Sequence, residues 1–239
     1  MGQKLTLFAT CPRGVEDLLA AECQQQQLVD IAAARGGVFC RGQLEHAYRL
    51  CLWSRVASRV LMQLSAFPVE DYEQLYQGVQ SVDWGRHLDI DGSFAVDVNT
   101  AHRTVNNSHY ATLRIKDAIA DQFKQAFGRR PGVEREHPDI RVNAYIDQER
   151  CTLYLDLSGE PLHRRGYRQK AGAAPLKENL AAAILLRSHW HELAKQGRPL
   201  LDPMCGSATL LLEAAYIAAV MAPGLLRSYY GFFLSLIHI

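Results

Sequence analysis

The run Leu200-Leu201-Asp202-Pro203-Met204-Cys205-Gly206-Ser207-Ala208-Thr209 constrains the fold of this chain more than any other stretch. Two leucines followed by an acid read as the end of a short buried strand. Gly206 and Ser207 permit a tight turn, and the Leu- and Ala-rich residues from Thr209 onward read as a helix. Strand, small-residue turn and helix in that order form the repeating unit of an α/β layer. Such a turn carries backbone N–H groups up to a ligand at the carboxyl end of the strand. The run is neither G-x-G-x-x-G nor a loop ending in G-K-[ST]. An acid at the strand end suits a ligand with a cationic or amine end better than a triphosphate. Only 30 of the 239 residues follow Thr209, so most of the surrounding domain is expected to be missing.

The preceding sequence reads as α+β. Strands are predicted over 4–10, 38–40 and 56–64, with amphipathic helices carried by Val15, Leu18, Leu19 and Cys23 and by Leu44, Ala47, Cys51 and Leu52. A helix is predicted between Pro68 and Trp84, then a half-buried strand over 94–98 and a polar loop over 99–109. The spacing of Leu113, Ile119 and Phe123 predicts a long helix over 110–127, ended by Gly128-Arg129-Arg130-Pro131-Gly132. Strands over 140–146 and 152–157 flank a short turn and predict a hairpin. Ser158-Gly159-Glu160-Pro161 is the clearest boundary, and a helix is predicted over 176–190. The Gln24–Gln27 run reads as a helix end on the surface.

Net charge is +1, so any nucleic-acid site must be a local patch rather than a global field. One such patch is His163-Arg164-Arg165-Gly166-Tyr167-Arg168-Gln169-Lys170, four cationic side chains with no acid among them. Arg164, Arg165, Tyr167, Arg168 and Lys170 are therefore candidate RNA contacts. His102, Arg103, Asn106, Asn107 and His109 in the polar loop are further candidates. The alternative for the 163–170 run is a linker that packs by pairing with acids from the missing domain. Trp53, Trp84 and Trp190 read as core or domain-contact residues. The six cysteines form no C-x-x-C pair and match no zinc spacing, which predicts free buried thiols in a reducing compartment. No signal peptide is visible, and Glu213 and Pro223 interrupt the apolar stretch over 209–226, so it reads as a buried helix rather than a membrane span.

Asp202-Pro203-Met204-Cys205-Gly206-Ser207-Ala208-Thr209 resembles motif I of the class I S-adenosylmethionine-dependent methyltransferases. It is closest to the D-P-M-C-G-S-G-T run of the subgroup that carries an RNA-binding THUMP domain. The resemblance extends along nearly the whole chain. Thr10-Cys11-Pro12-Arg13-Gly14-Val15-Glu16-Asp17-Leu18-Leu19 is similar to the ferredoxin-like opening of these enzymes, and Leu52-Trp53-Ser54-Arg55-Val56 to the entry of their THUMP domain. Pro138-Asp139-Ile140-Arg141-Val142-Asn143 and Leu155-Asp156-Leu157-Ser158-Gly159 are similar to its closing hairpin. Leu162-His163-Arg164-Arg165-Gly166-Tyr167-Arg168 and Pro175-Leu176-Lys177-Glu178-Asn179-Leu180 are similar to the linker and first helix of the catalytic domain.

The resemblance implies an α+β ferredoxin-like region over 1–45 and a THUMP domain over 46–157. Over 158–239 it implies a linker and the first βα unit of a truncated Rossmann-like α/β methyltransferase domain. It implies S-adenosylmethionine as cofactor, held by Asp202, Pro203, Cys205, Gly206, Ser207 and Thr209, with Ala208 standing where the family usually has glycine. It implies 23S ribosomal RNA as partner, the N2 amine of a guanine as acceptor, a cytoplasmic location and no membrane. The family's [ND]-P-P-[YF] acceptor motif and the acid that binds the cofactor ribose are expected beyond Ile239, with a fused two-activity protein as the arrangement the family implies; the chain by itself is expected to be inactive. Residues 234–239 match nothing in the family and are expected to be non-native. Two other readings stay open: a stand-alone THUMP-type RNA-binding module with a purely structural Asp202 loop, and a THUMP methyltransferase acting on transfer RNA.

Overall fold

The structure is a computed structural model that describes residues 4–168 and 175–231. It divides into two units. One is Met1–Val60 together with Glu160–Tyr229, and the other is Leu61–Gly159 together with Tyr230–Ile239.

The first unit opens with β1 (Leu5–Thr10), α1 (Glu16–Gln25), β2 (Val29–Ala34), β3 (Gly37–Gly42) and α2 (Leu44–Trp53). β3 pairs antiparallel with β1, from Leu5 opposite Gly42 to Thr10 opposite Gly37, and also with β2. Leu7 and Ala9 on β1, Val38 and Cys40 on β3, Leu19 and Cys23 on α1, and Ala47 and Leu50 on α2 are all buried, a period of two meeting helical spacing across one core. The sequence reading had no β2. Its residues are mostly exposed and half of them are alanine, so neither alternation nor β-propensity marks it. Gln27, with φ +62, turns the chain out of α1 toward this strand.

β4 (Arg59–Pro68) leads into the second unit, and begins three residues later than the sequence predicts. The cause is local. The backbone N–H of Val56 donates to Glu22 Oε2 and that of Ala57 to Ser54 Oγ, so side chains rather than a strand ladder occupy these donors. Then follow α3 (Tyr72–Gln80), a 3₁₀ turn at Trp84–Arg86, β5 (Ser93–Thr100), α4 (Ser108–Phe127), β6 (Gly132–Val133), β7 (Ile140–Ile146) and β8 (Arg150–Asp156). The strand order within this unit is β4-β8-β7-β5-β6. β7 and β8 form the expected antiparallel hairpin. β5 runs parallel to β7, with α4 making the connection that parallel strands require. Asp71 caps α3 by accepting from Glu73 N and Gln74 N, and Asn107 caps α4 by accepting from Tyr110 N. Gly128, with φ +72, closes α4. Trp84 is fully buried and donates its Nε1–H to the Val79 carbonyl.

The chain then returns to the first unit with α5 (Glu178–Arg187), α6 (Trp190–Lys195) and α7 (Thr209–Ala218). The single helix expected over 176–190 ends at Arg187 because His189 takes a left-handed conformation, φ +56, before α6. Leu185, Trp190, Ala214 and Ile217 form the cluster that holds the three helices together. Trp190 donates to the Ala214 carbonyl at 2.9 Å. The strand predicted at Leu200-Leu201 is not formed, and Leu201 is 86% exposed. A buried strand needs neighbours to pair with, and among the described residues no strand follows Asp156. Position 45 falls within α2, and the opening stretch of the first unit continues to Val60.

Candidate functional site

Asp202 Oδ1 accepts from the Met204 N–H at 3.1 Å, which folds the start of the loop into a turn. The Ala208 N–H closes the next turn by donating to the Cys205 carbonyl at 2.7 Å. Gly206 and Ala208 both adopt left-handed conformations, φ +51 and +57. Glycine adopts this region freely, whereas Ala208 holds it against the repulsion of its own Cβ. α7 starts immediately afterwards, and its first intrahelical bond of this turn is Leu212 N–H to the Ala208 carbonyl. The N–H groups of Thr209, Leu210 and Leu211 therefore lie ahead of the helical ladder, at its positive end. Pro203, Met204, Cys205, Gly206 and Ser207 are exposed and Thr209 is buried. Cys205 is the exposed thiol, while Cys11, Cys23, Cys40, Cys51 and Cys151 are buried. The loop thus brings together a carboxylate, two hydroxyls 3.2 Å apart at Ser207 and Thr209, and a set of uncommitted amides.

The described part of the cationic run ahead of this loop is largely turned inward, and the acids that meet it, Glu178 and Glu213, belong to this chain rather than to a missing domain. Arg165 is 2% exposed. It donates to the carbonyls of Leu162, Ser54 and Arg55, and its Nε lies 3.6 Å from Glu213 Oε1. Tyr167 donates its hydroxyl to the same Glu213 oxygen at 2.9 Å. Arg168 pairs with Glu178 at 3.0 Å and donates to the Leu176 carbonyl and Thr209 Oγ1. Gly166, between them, has φ +94, and a Cβ there would sit 2.5 Å from the Leu226 carbonyl oxygen. Arg164 is the exposed member of the run and pairs with Glu160 at 3.3 Å. Lys170 lies outside the described residues. Of the four candidates of this run among the described residues, Arg164 alone is exposed, while Arg165 and Tyr167 turn toward Glu213 and Arg168 toward Glu178.

These contacts set the local electrostatics. Burial raises the Glu213 carboxyl above its usual range, with the Arg165 charge and the Tyr167 hydrogen bond acting against it. Burial, helped by the charge of Glu213, also raises the Tyr167 phenol. His163 is lowered to about 4, first by burial and then by Lys177, Arg165, Arg164 and Arg227. Glu22 is raised by burial although Ser54 Oγ and the backbone of Arg55 and Val56 donate to it. Arg55 links this carboxylate to α7, donating to the carbonyls of Tyr216 and Met221 at the helix end.

In the second unit, Arg103 and Asn107 are exposed as expected, and Asn107 also serves as the α4 cap. His102 is buried, its Nδ1 accepting from the Thr104 and Val105 N–H groups, so it shapes the loop. Beside this loop lies a cleft that the sequence reading missed, lined by Ser108, His109, Thr112, Lys116, Arg135 and Arg141. Arg141 is steadied by Asp97 at 3.0 Å and by the Arg135 carbonyl. Lys116, Arg135 and Arg141 come from a helix, a loop and a strand, so no sequence window contains them together. Trp84 and Trp190 are buried as predicted, whereas Trp53 is 39% exposed. Among the described residues no helix is long and apolar enough to cross a membrane, and no group of three or more His, Cys, Asp or Glu side chains could hold a metal ion.

Three family descriptions match the chain in succession. They are the RlmL ferredoxin-like domain over residues 6–61, the THUMP domain over 69–156 and the RMKL-like methyltransferase domain over 165–238. The chain is 51% identical over 232 residues to ribosomal RNA large subunit methyltransferase K/L of Syntrophotalea carbinolica, covering 97% of this chain and 32% of that protein. It spans about a third of the length of the curated relatives it matches. Among solved structures it is similar to SMU.472, a putative methyltransferase complexed with SAH, at a TM-score of 0.82 and 30% identity, covering 97% of this chain and 60% of that one. It is similar, at a TM-score of 0.83 and 30% identity, to a Listeria monocytogenes protein described as a predicted N6-adenine-specific DNA methylase, covering 96% of this chain and 59% of that one.

Proposed function

The chain belongs to the THUMP-domain class I methyltransferases, carrying their ferredoxin-like, THUMP and methyltransferase-type regions in order, and from that premise we propose that the 202–209 loop is one wall of an S-adenosylmethionine site in an enzyme that methylates a guanine N2 amine of 23S ribosomal RNA. The observation that carries this reading is the loop itself. Two left-handed residues followed by a helix start leave the N–H groups of Thr209, Leu210 and Leu211 without intrahelical partners. Such a concave set of amides suits the carboxylate of an amino-acid ligand. Asp202 supplies the opposite charge a few residues away, which suits a ligand ammonium or hydroxyl. The residues present fit the cofactor's amino-acid end. Bound there, the cofactor would supply an electrophilic methyl group on sulfur.

The chain's own residues orient the donor in this reading and do no acid–base chemistry. The family's [ND]-P-P-[YF] acceptor motif does not occur in the sequence. We therefore assign 158–239 to the start of a Rossmann-like catalytic domain, and methyl transfer to a longer protein in which the rest of the pocket is supplied. The cleft over Lys116, Arg135 and Arg141, with exposed Arg103, Asn107 and Arg164, supports RNA as partner through backbone contacts. A ribosomal RNA substrate supports a cytoplasmic location for the enzyme in this reading.

The test is calorimetric titration of S-adenosylhomocysteine into the full-length protein and its Asp202→Ala variant. Loss of about tenfold or more in affinity is expected, and unchanged binding rejects the loop as the site. Incubation of the 239-residue chain with tritiated S-adenosylmethionine and unmodified 23S RNA is expected to leave the RNA unlabelled.

A further inference from the structure

Arg168 lies outside the loop, yet one of its three donor contacts reaches the loop's end. Nε meets Glu178 Oε1 at 3.0 Å, and Nη2 meets the Leu176 carbonyl at 2.9 Å and Thr209 Oγ1 at 3.1 Å. A guanidinium only donates. Thr209 Oγ1 must therefore accept from Arg168, and its own hydrogen is left to find an acceptor. Thr209 is buried, and Ser207 Oγ stands 3.2 Å away. With Thr209 donating to Ser207, the Ser207 hydrogen is left to point outward from an exposed side chain. Either hydroxyl of the pair could donate, and the direction Arg168 to Thr209 to Ser207 is the one that gives the buried Thr209 hydrogen an acceptor.

We propose that Arg168 is a positioning residue that polarises the Thr209–Ser207 hydroxyl pair so that Ser207 presents a hydrogen-bond donor to the carboxylate of the bound cofactor. The proposal rests on the reading of this loop as the cofactor site. Glu178 acts as the anchor: its bond to Nε leaves Nη2 free to serve Thr209. The relay gives Ser207 a preference for an anionic acceptor, in line with the free amides beside it.

The experiment uses the full-length protein and two probes, S-adenosylhomocysteine and 5′-methylthioadenosine, which share the adenosine but differ in the amino-acid end. Arg168→Gln and Thr209→Val are each expected to weaken S-adenosylhomocysteine about tenfold while leaving methylthioadenosine within about twofold. Thr209→Ser, which keeps the hydroxyl, is expected to retain binding. Equal weakening of both probes by Arg168→Gln would mean that the arginine only holds the fold, and would overturn the proposal. Asp202→Ala separates the two levels. If it abolishes binding while Arg168→Gln and Thr209→Val leave it intact, the relay is wrong and the site stands. If Asp202→Ala changes nothing, the site itself is wrong.

Discussion

Arg165 and Glu213 face each other at 3.6 Å with 2% and 0% of their side chains exposed. Their pairing is a buried ion pair with imperfect satisfaction, since Arg165 Nε and Glu213 Oε2 lack hydrogen-bond partners. Removing water from both charges costs several kcal/mol each, and a pair of this geometry recovers that cost only in part. Glu213→Ala should therefore destabilise the first unit by about 3–5 kcal/mol, because it strands a buried guanidinium. The double variant Arg165→Met with Glu213→Leu should recover most of that loss. Urea unfolding of the three proteins decides it. A double variant no more stable than Glu213→Ala would show that the arginine's bonds to the Ser54, Arg55 and Leu162 carbonyls matter more than the charge pair.

Ala208 holds φ +57 with no side-chain cap. Glycine removes the Cβ repulsion at the cost of some freedom in the unfolded chain. Ala208→Gly should stabilise the protein by about 0.5–1 kcal/mol, seen as a higher urea midpoint at unchanged slope. An unchanged or lower midpoint would mean that the left-handed turn is not strained.

His163 is lowered to about 4 by burial and by four neighbouring cations. The folded state then binds fewer protons than the unfolded state between pH 4 and 6.5, so stability is fully present above 6.5 and is lost as pH falls toward about 4. After allowance for partial exposure the loss should be about 2 kcal/mol. Thermal melts across pH 4.5–7.5 should show the wild type losing stability relative to His163→Gln as the pH falls. Parallel curves would remove His163 as the cause.

For RNA, Lys116→Ala and Arg135→Ala should each weaken binding across sequences and flatten the log–log salt dependence by about one unit. Arg164→Ala should behave likewise, because its charge faces outward. The readout is fluorescence anisotropy with labelled 23S fragments at several salt concentrations. A full, unaltered slope in all three would place the RNA elsewhere.

Periodicity made α4 and the β7–β8 hairpin legible, because each carries enough apolar positions to reveal its own spacing. The 202–209 loop was legible from its small residues. The inward turn of Arg165 and Tyr167 was not, since their partner Glu213 lies more than forty residues away. A signal existed: Glu213 is the single acid in the otherwise apolar helix α7. It reads first as an interruption of a hydrophobic run, whereas burial makes it the anchor of the linker. Leu200-Leu201 shows the opposite failure. The local pattern of a strand is present, but a strand is defined by its neighbours, and pairing is not a local property.

The first unit is built from two stretches separated by roughly 100 residues of the second. During synthesis at about 5–20 residues per second, Glu22 and Arg55 leave the ribosome about 5–40 seconds before Arg165 and α7 exist to cover them. For that interval a half-made core waits on the nascent chain, while β4 to β8 of the inserted unit have all been synthesised. The order of emergence favours an early central sheet and a late clasp that closes over the opening sixty residues.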